Sequence, residues 1–301
     1  IMVDSGNYDD ADKILTHIRT HYDKVKKSGW SGYVIDAAIV THPDDDHIGG
    51  FVHILENLQA GKLYDICFNC FWVNDPTKHE FVPNDVQRIQ TQKSLDARLK
   101  CVYNYKEDSK KNLLDLIDSA GIARTEVFAG DYLDEPQITI ISPTRDFYES
   151  LLPKFRNKLN FHWALEALEE NSYSSKDDIS DETTLSKTLD DATDDTSAHN
   201  QSSIVFLLET DEKQKFLFTG DAGRDAFNHV PQTLLGKVKD VTWMKVPHHG
   251  SKHNLDSTII KHVNPEIAYI STEKQGKYLN RSTVFALKKN GTIVYSTSQN
   301  R

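Results

Sequence analysis

Between Asp9 and Ser28 the apolar side chains Ala11, Ile14, Leu15, Ile18, Tyr22 and Val25 recur at helical spacing. Acids lie in front, lysines behind, and Gly29 supplies a stop, so a helix is predicted there. Val3-Asp4-Ser5-Gly6, just before it, reads as a strand end and a turn. The short apolar run Ala37-Ala38-Ile39-Val40 predicts a buried strand over 37–41. A helix is expected over 47–58, a strand over 65–73, and helices over 86–100 and 105–120, the last ending at Gly121. Strands near 125–128 and 137–142 follow, the second stopped by Pro143. In the later half, 203–209 and 214–219 form a hairpin across Thr210-Asp211-Glu212-Lys213. Helical stretches 223–235, 255–263 and 282–289 then alternate with strands 241–246, 266–271 and 292–296. Mixed strands and helices with polar residues gathered at strand ends indicate an α/β fold.

The span 145–199 departs from this rhythm. It opens on an amphipathic stretch containing Phe147, Tyr148, Leu151, Leu152, Phe155, Phe161, Trp163, Leu165 and Leu168, then turns acidic and Ser/Thr-rich. Low hydrophobicity and high charge predict a mobile insertion. Its place just before Asn200 suits either a lid that selects substrate or a tail that binds a protein partner.

Composition narrows the field. The formal charge of -10 argues against a broad basic surface for nucleic acid. The imbalance is local: Ser174 to Thr196 holds eight acids against two lysines, which leaves room for a basic path elsewhere. No apolar run approaches the length of a membrane span, and no signal peptide is visible. Cys67, Cys70 and Cys101 do not make a disulfide framework. The Cys67-x-x-Cys70 pair sits among Ile66, Phe68, Phe71 and Trp72, reading as a strand with reduced thiols, and a cytoplasmic location is expected.

The densest chemistry lies at Thr41-His42-Pro43-Asp44-Asp45-Asp46-His47-Ile48-Gly49-Gly50. An acidic turn of this kind can be a solvated loop. Entered from an apolar strand, however, its adjacent carboxylates raise each other's pKa unless a cation is present. Imidazole and carboxylate together favour Zn, Mn or Fe over Ca or Mg. Four ligands from one turn exceed what one open catalytic ion needs and suggest two ions. Further polar clusters appear at Gly220-Asp221 and Pro247-His248-His249-Gly250-Ser251.

Together these stretches resemble the metallo-β-lactamase-fold hydrolases, whose signature is His-x-His-x-Asp-His with a distant His, Asp and His. The likeness is greatest to the branch found in ComEC-type competence proteins. It rests on Thr41 to Gly50, Asn200-Gln201-Ser202-Ser203, Phe218-Thr219-Gly220-Asp221-Ala222 and Val246 to Ser251. It covers nearly the whole chain outside 145–199. The resemblance implies a four-layer αββα sandwich spanning 1–301 as one domain, with the insertion near the active site. The family's Asp-Ser-Gly follows two opening strands; here Asp4-Ser5-Gly6 stands almost at the start, so either the start is cropped or those strands are absent.

The resemblance also implies roles. His42 and Asp44 would hold a first ion, Asp46 and His47 a second, and Asp221 both; Asp4 would support the loop. One of His248 and His249 would complete the second site, with the choice left open. Asn200 stands where many relatives carry a His, and His199 beside it is a lesser candidate. With Asp44 also replacing a His, the first site shifts toward oxygen, so two divalent ions, Zn or Mn, are expected. A bridging hydroxide would then attack a phosphodiester, with DNA or RNA as substrate. Asp46 and Asp221 would be catalytic as ligands. Lys245, Ser251 and Lys252 would contact phosphate, Lys252 with a catalytic share, or simply face solvent. Tyr278-Leu279-Asn280-Arg281 replaces the family's Tyr-Gly-His-Pro, so Asn280 occupies a catalytic position without its proton donor, while Arg281 can stabilise charge. The alternatives are hydrolysis of a small substrate (a phosphocholine ester, cyclic nucleotide, lactone or thioester) and a degenerate interaction module.

Overall fold

A computed structural model describes residues 1–27, 29–79, 95–106, 108–155, 188–272 and 279–297. The chain divides into two compact units: 1–127 with 152–161, and 128–151 with 162–301.

The first unit carries a parallel sheet of four short strands. Its order is β1 (Met2–Val3), β4 (Ala38–Ile39), β6 (Cys70–Trp72) and β9 (Ala123–Thr125). A second sheet joins β2 (Val25–Lys27), β3 (Trp30–Ile35) and β5 (Ile66–Phe68). Helix α1 (Ala11–His21) is shorter than its apolar spacing predicts, because the chain turns into β2 at Val25. Helix α2 (Asp45–Gln59) is the centre of this unit. Ile48, Phe51, Val52, Ile54 and Leu55 on it are fully buried, and Phe51 packs against Phe68 and Phe71 at ring separations of 6.2 and 5.1 Å.

Two expectations are corrected here. The strand expected over 65–73 is broken at Asn69, whose N–H bonds Ile35 O and whose side chain bonds Asp36, so its halves enter different sheets. The helix expected over 105–120 is a hairpin, β7 (Asn104–Tyr105) and β8 (Asp108–Asn112), followed by α3 (Leu113–Ser119). Asn112 decides this. Its Oδ1 accepts from Leu114 N and Asp115 N, capping α3, while its amide donates to Asn104 Oδ1 and Lys100 O. Of the predicted 86–100 helix, 86–94 lies outside the described residues and 95–99 is helical.

The second unit is built on a seven-stranded sheet in the order β10 (Tyr132–Leu133), β11 (Gln137–Ser142), β12 (Val205–Glu209), β13 (Lys215–Phe218), β14 (Trp243–Lys245), β15 (Ile267–Ile270), β16 (Ile293–Ser296). Pairing is antiparallel through β13 and parallel beyond it. The parallel part follows from its crossover helices, α8 (Ser257–Val263) and α9 (Arg281–Lys289), each joining successive strands. Between β11 and β14 lie the shorter helices α4 (Arg145–Leu151), α5 (Ala198–Gln201), α6 (Arg224–Asn228) and α7 (Gln232–Leu235). Leu217, Met244 and Ala268 share one buried face of the sheet.

Of the predicted insertion, 156–187 lies outside the described residues. Its last part, 188–199, is tied down. Leu189 is fully buried, and the guanidinium of Arg224 donates to Leu189 O, Ala192 O and Asp194 Oδ1, as well as to Leu255 O and Lys252 O. Among the described residues, no helix is long and apolar enough to cross a membrane.

Candidate metal centre

In the first unit the ligand candidates sit where β4 ends and α2 begins. Gly49 and Gly50 allow this placement. A Cβ on Gly50 would lie 2.2 Å from Ser5 O, and one on Gly49 would lie 2.4 Å from Tyr8 N, so α2 rests directly on the loop that carries Asp4. Asp44 is the N-cap residue of α2, yet its side chain makes no cap bond. Its carboxylate stands 3.8 Å from His42 Nε2, and that of Asp46 stands 3.8 Å from His47 Nε2. The two imidazoles lie 4.0 Å apart and are buried.

Hydrogen bonding fixes both rings. Asp4 Oδ2 lies 2.8 Å from His47 Nδ1, so that nitrogen carries the proton and Nε2 the lone pair. Thr41 donates its single hydroxyl proton to Asp4 Oδ2 and its N–H to Asp4 Oδ1. The Thr41 hydroxyl, 3.0 Å from His42 Nδ1, is therefore left to accept, which again puts the proton on Nδ1 and the lone pair on Nε2. Burial alone would push the Asp4 carboxyl up. The imidazoles of His47 and His42 and the Thr41 N–H outweigh it and hold the group below the usual carboxylate range. Asp4 adopts φ 52°, a left-handed conformation uncommon outside glycine.

In the second unit the candidates sit at the ends of β13 and β14. His248, His249 and Gly250 take φ values of 45°, 53° and 87° in succession, a sharp turn that sends the two rings to different partners. His249 Nδ1 donates to Ser271 O at 2.7 Å, and its Nε2 stands 3.9 Å from Asp221 Oδ2. His248 Nδ1 instead lies 3.1 Å from Asp195 Oδ2 and 3.2 Å from Asn254 Oδ1. The pair left open by the sequence is thus differentiated: His249 faces Asp221, and His248 faces a carboxylate–amide brace. The Asn-x-x-Ser stretch also gains a physical meaning. Ser203 Oγ accepts the Asp221 N–H, and Asn200 Nδ2 donates to Asp195 Oδ2 at 2.8 Å. Asn200 is buried, and its Oδ1 has no hydrogen-bond partner among the described residues.

The remaining candidates divide. Lys245 Nζ donates to Gly220 O at 2.6 Å and lies 3.3 Å from Asp221 Oδ1, so its charge is spent on the Asp221 turn. Ser251 is buried, its Oγ accepting the His253 N–H, and Lys252 gives its carbonyl to Arg224. Asn280 caps α9 through Ser282 N, and its own N–H holds Gly250 O. Arg281 is exposed in the first turn of that helix, and Tyr278 lies outside the described residues. His199 is buried within α5. Asp195 and Asn254 were not singled out by the sequence; an Asp in a run of acids and an Asn in a loop carry no signal that separates them from solvated neighbours.

Residues 1–87 match the family model described as the metallo-beta-lactamase superfamily. Members of this superfamily are in general hydrolases, and they typically bind divalent metals. The α/β elements seen in each unit agree with the fold class this implies. The chain is also similar to ComE operon protein 3 of Bacillus subtilis (strain 168), with 31% identity over 113 residues. The match takes in 34% of this chain and 14% of that protein's length, so the chain spans a small part of this relative. Among solved structures it is similar to the metallo-beta-lactamase fold protein YhfI from Bacillus subtilis, at 10% identity and a TM-score of 0.36. That comparison covers 90% of this chain and 86% of YhfI.

The residues present fit a divalent cation. Two imidazoles present Nε2 lone pairs from Nδ1–H tautomers backed by Asp4 and Thr41, the arrangement typical of metal-binding His. The orphaned, buried Oδ1 of Asn200 is an acceptor that a cation would satisfy.

Proposed function

We propose that the chain is a metal-dependent hydrolase with two divalent ions, Zn or Mn, acting on phosphodiesters, with DNA or RNA as the substrate class. The observation that carries this reading is the pair of buried imidazoles, His42 and His47, both set to offer Nε2 by the Asp4–Thr41 brace. In the first unit His42, Asp44, Asp46 and His47 would serve as metal ligands, and in the second unit Asn200, Asp221 and His249 would. When bound, the ions supply an activated water at neutral pH and neutralise charge on the phosphoryl oxygens. The protein's own part is orientation. Asp4 keeps both rings in one tautomer, Ser203 and Lys245 fix the Asp221 turn, and Ser271 O holds His249. Arg281, exposed beside the Asn280 cap, is the side chain offered to a phosphate.

A second reading, hydrolysis of a small phosphate ester or cyclic nucleotide, draws on the net charge of -10, which does not favour a long polyanion. The assay that separates them supplies Mn or Zn and compares single-stranded DNA, duplex DNA, RNA and bis-p-nitrophenyl phosphate. Cleavage of polymer, lost in His42→Ala, is expected. Turnover of the small ester with intact polymer sinks the nuclease reading and leaves the smaller substrate. No turnover of any substrate, with metal bound, sinks both.

A further inference from the structure

We propose that Asp195 is a positioning residue that sets the orientation of Asn200, a ligand in the metal-dependent reading above on which this rests, and of His248, the ring beside the His249 ligand. Asp195 lies in the acidic run before Asn200, yet its side chain is only 7% exposed. Its two oxygens are fully committed. Oδ1 accepts the Ser197 N–H at 2.8 Å. Oδ2 receives three side chains: His248 Nδ1 at 3.1 Å, Asn200 Nδ2 at 2.8 Å and Asn254 Nδ2 at 2.9 Å.

Two consequences follow from donor and acceptor chemistry. A carboxylate offers no proton, so the nitrogen of His248 that faces it must carry the hydrogen, and Nε2 keeps the lone pair. The amide of Asn200 is sorted by the same oxygen. Flipping it would set Oδ1 against Oδ2 of Asp195, oxygen against oxygen, so Oδ1 is turned away and left as the orphaned acceptor. Asn254, with no exposed surface, braces the arrangement by bonding both Asp195 Oδ2 and Asp221 O. Arg224 holds the segment from beneath through Leu189, Ala192 and Asp194. One buried carboxylate thus does for His248 and Asn200 what Asp4 does for His47 and Thr41.

The test compares wild type, Asp195→Asn and Asp191→Asn, the last an exposed acid of the same run. Long-range nitrogen–proton correlation spectra of the metal-free protein report which ring nitrogen of His248 is protonated, with His249, held by Ser271 O, as an internal reference. Chelator competition gives the Mn and Zn affinities. The expected result is Nδ1–H at His248 in wild type and in Asp191→Asn, and loss of that single tautomer in Asp195→Asn. Metal affinity should fall in Asp195→Asn by about 10- to 100-fold, as for other residues that orient a ligand. A folded Asp195→Asn with unchanged tautomer and affinity overturns the proposal. If that variant does not fold, the wild-type ring decides, and Nε2–H at His248 overturns it. A wild type that binds neither metal overturns the two-ion reading instead, and the ring nitrogens still judge Asp195 separately.

Discussion

At the scale of single residues, the brace around Asp4 explains why so polar a loop is tolerated at the end of an apolar strand. Three donors, Thr41 N, Thr41 Oγ1 and His47 Nδ1, converge on one carboxylate, so the loop's rings are set before any ligand arrives. Replacing Asp4 by Asn removes the charge and turns one acceptor into a donor. Metal affinity measured by chelator competition is expected to fall by about 10- to 100-fold, with the fold retained in far-ultraviolet circular dichroism. Asn280 is the contrasting case. It caps α9 rather than standing free for proton transfer. Asn280→Ala should cost about 1 kcal/mol in a denaturant titration and leave metal binding unchanged. His42, Asp44, Asp46 and His47 stand out in the sequence as candidates because their chemistry is dense and short-range. Asp195 does not, because His248 and Asn254, which hold its carboxylate, are distant in sequence.

At the scale of elements, apolar spacing located most strands and helices of the later half to within two or three residues. It failed where one polar side chain overrode the pattern. Asn69 breaks a strand and Asn112 converts helix into hairpin, both through bonds to residues that local spacing does not reveal. Asp75 adds an electrostatic element to the first unit. It caps the turn Pro76–Lys78 through Thr77 and pairs with Arg124 on β9 at 2.6 Å. Burial pushes its carboxyl up, but Thr77 and Arg124 together hold it below the ordinary value. A depressed folded-state value means the stabilisation is fully present above the unfolded pKa and is lost as pH falls through the folded one. The denaturant midpoint of wild type should therefore drop below about pH 4, and Asp75→Asn should show a shallower drop over the same range. Equal slopes in both proteins would remove Asp75 from acid unfolding.

At the scale of the whole molecule, the α/β class was readable from the alternation of strands and helices, and the likeness of residues 1–87 to the metallo-beta-lactamase superfamily model from the motif at Thr41 to Gly50. The substrate was not readable. Charge balance and ligand type point in different directions, and the fold does not choose between a polymer and a small ester. The claim on which every assigned role depends is that the chain takes up two divalent ions. Mass-resolved metal content of the intact chain, after equilibration with Zn or Mn and removal of free ion, tests it most directly. About two ions per chain are expected for wild type, with fewer in His42→Ala and in Asp221→Ala alike. A wild-type chain that retains no ion under those conditions, or variants that retain the full wild-type content, would contradict it.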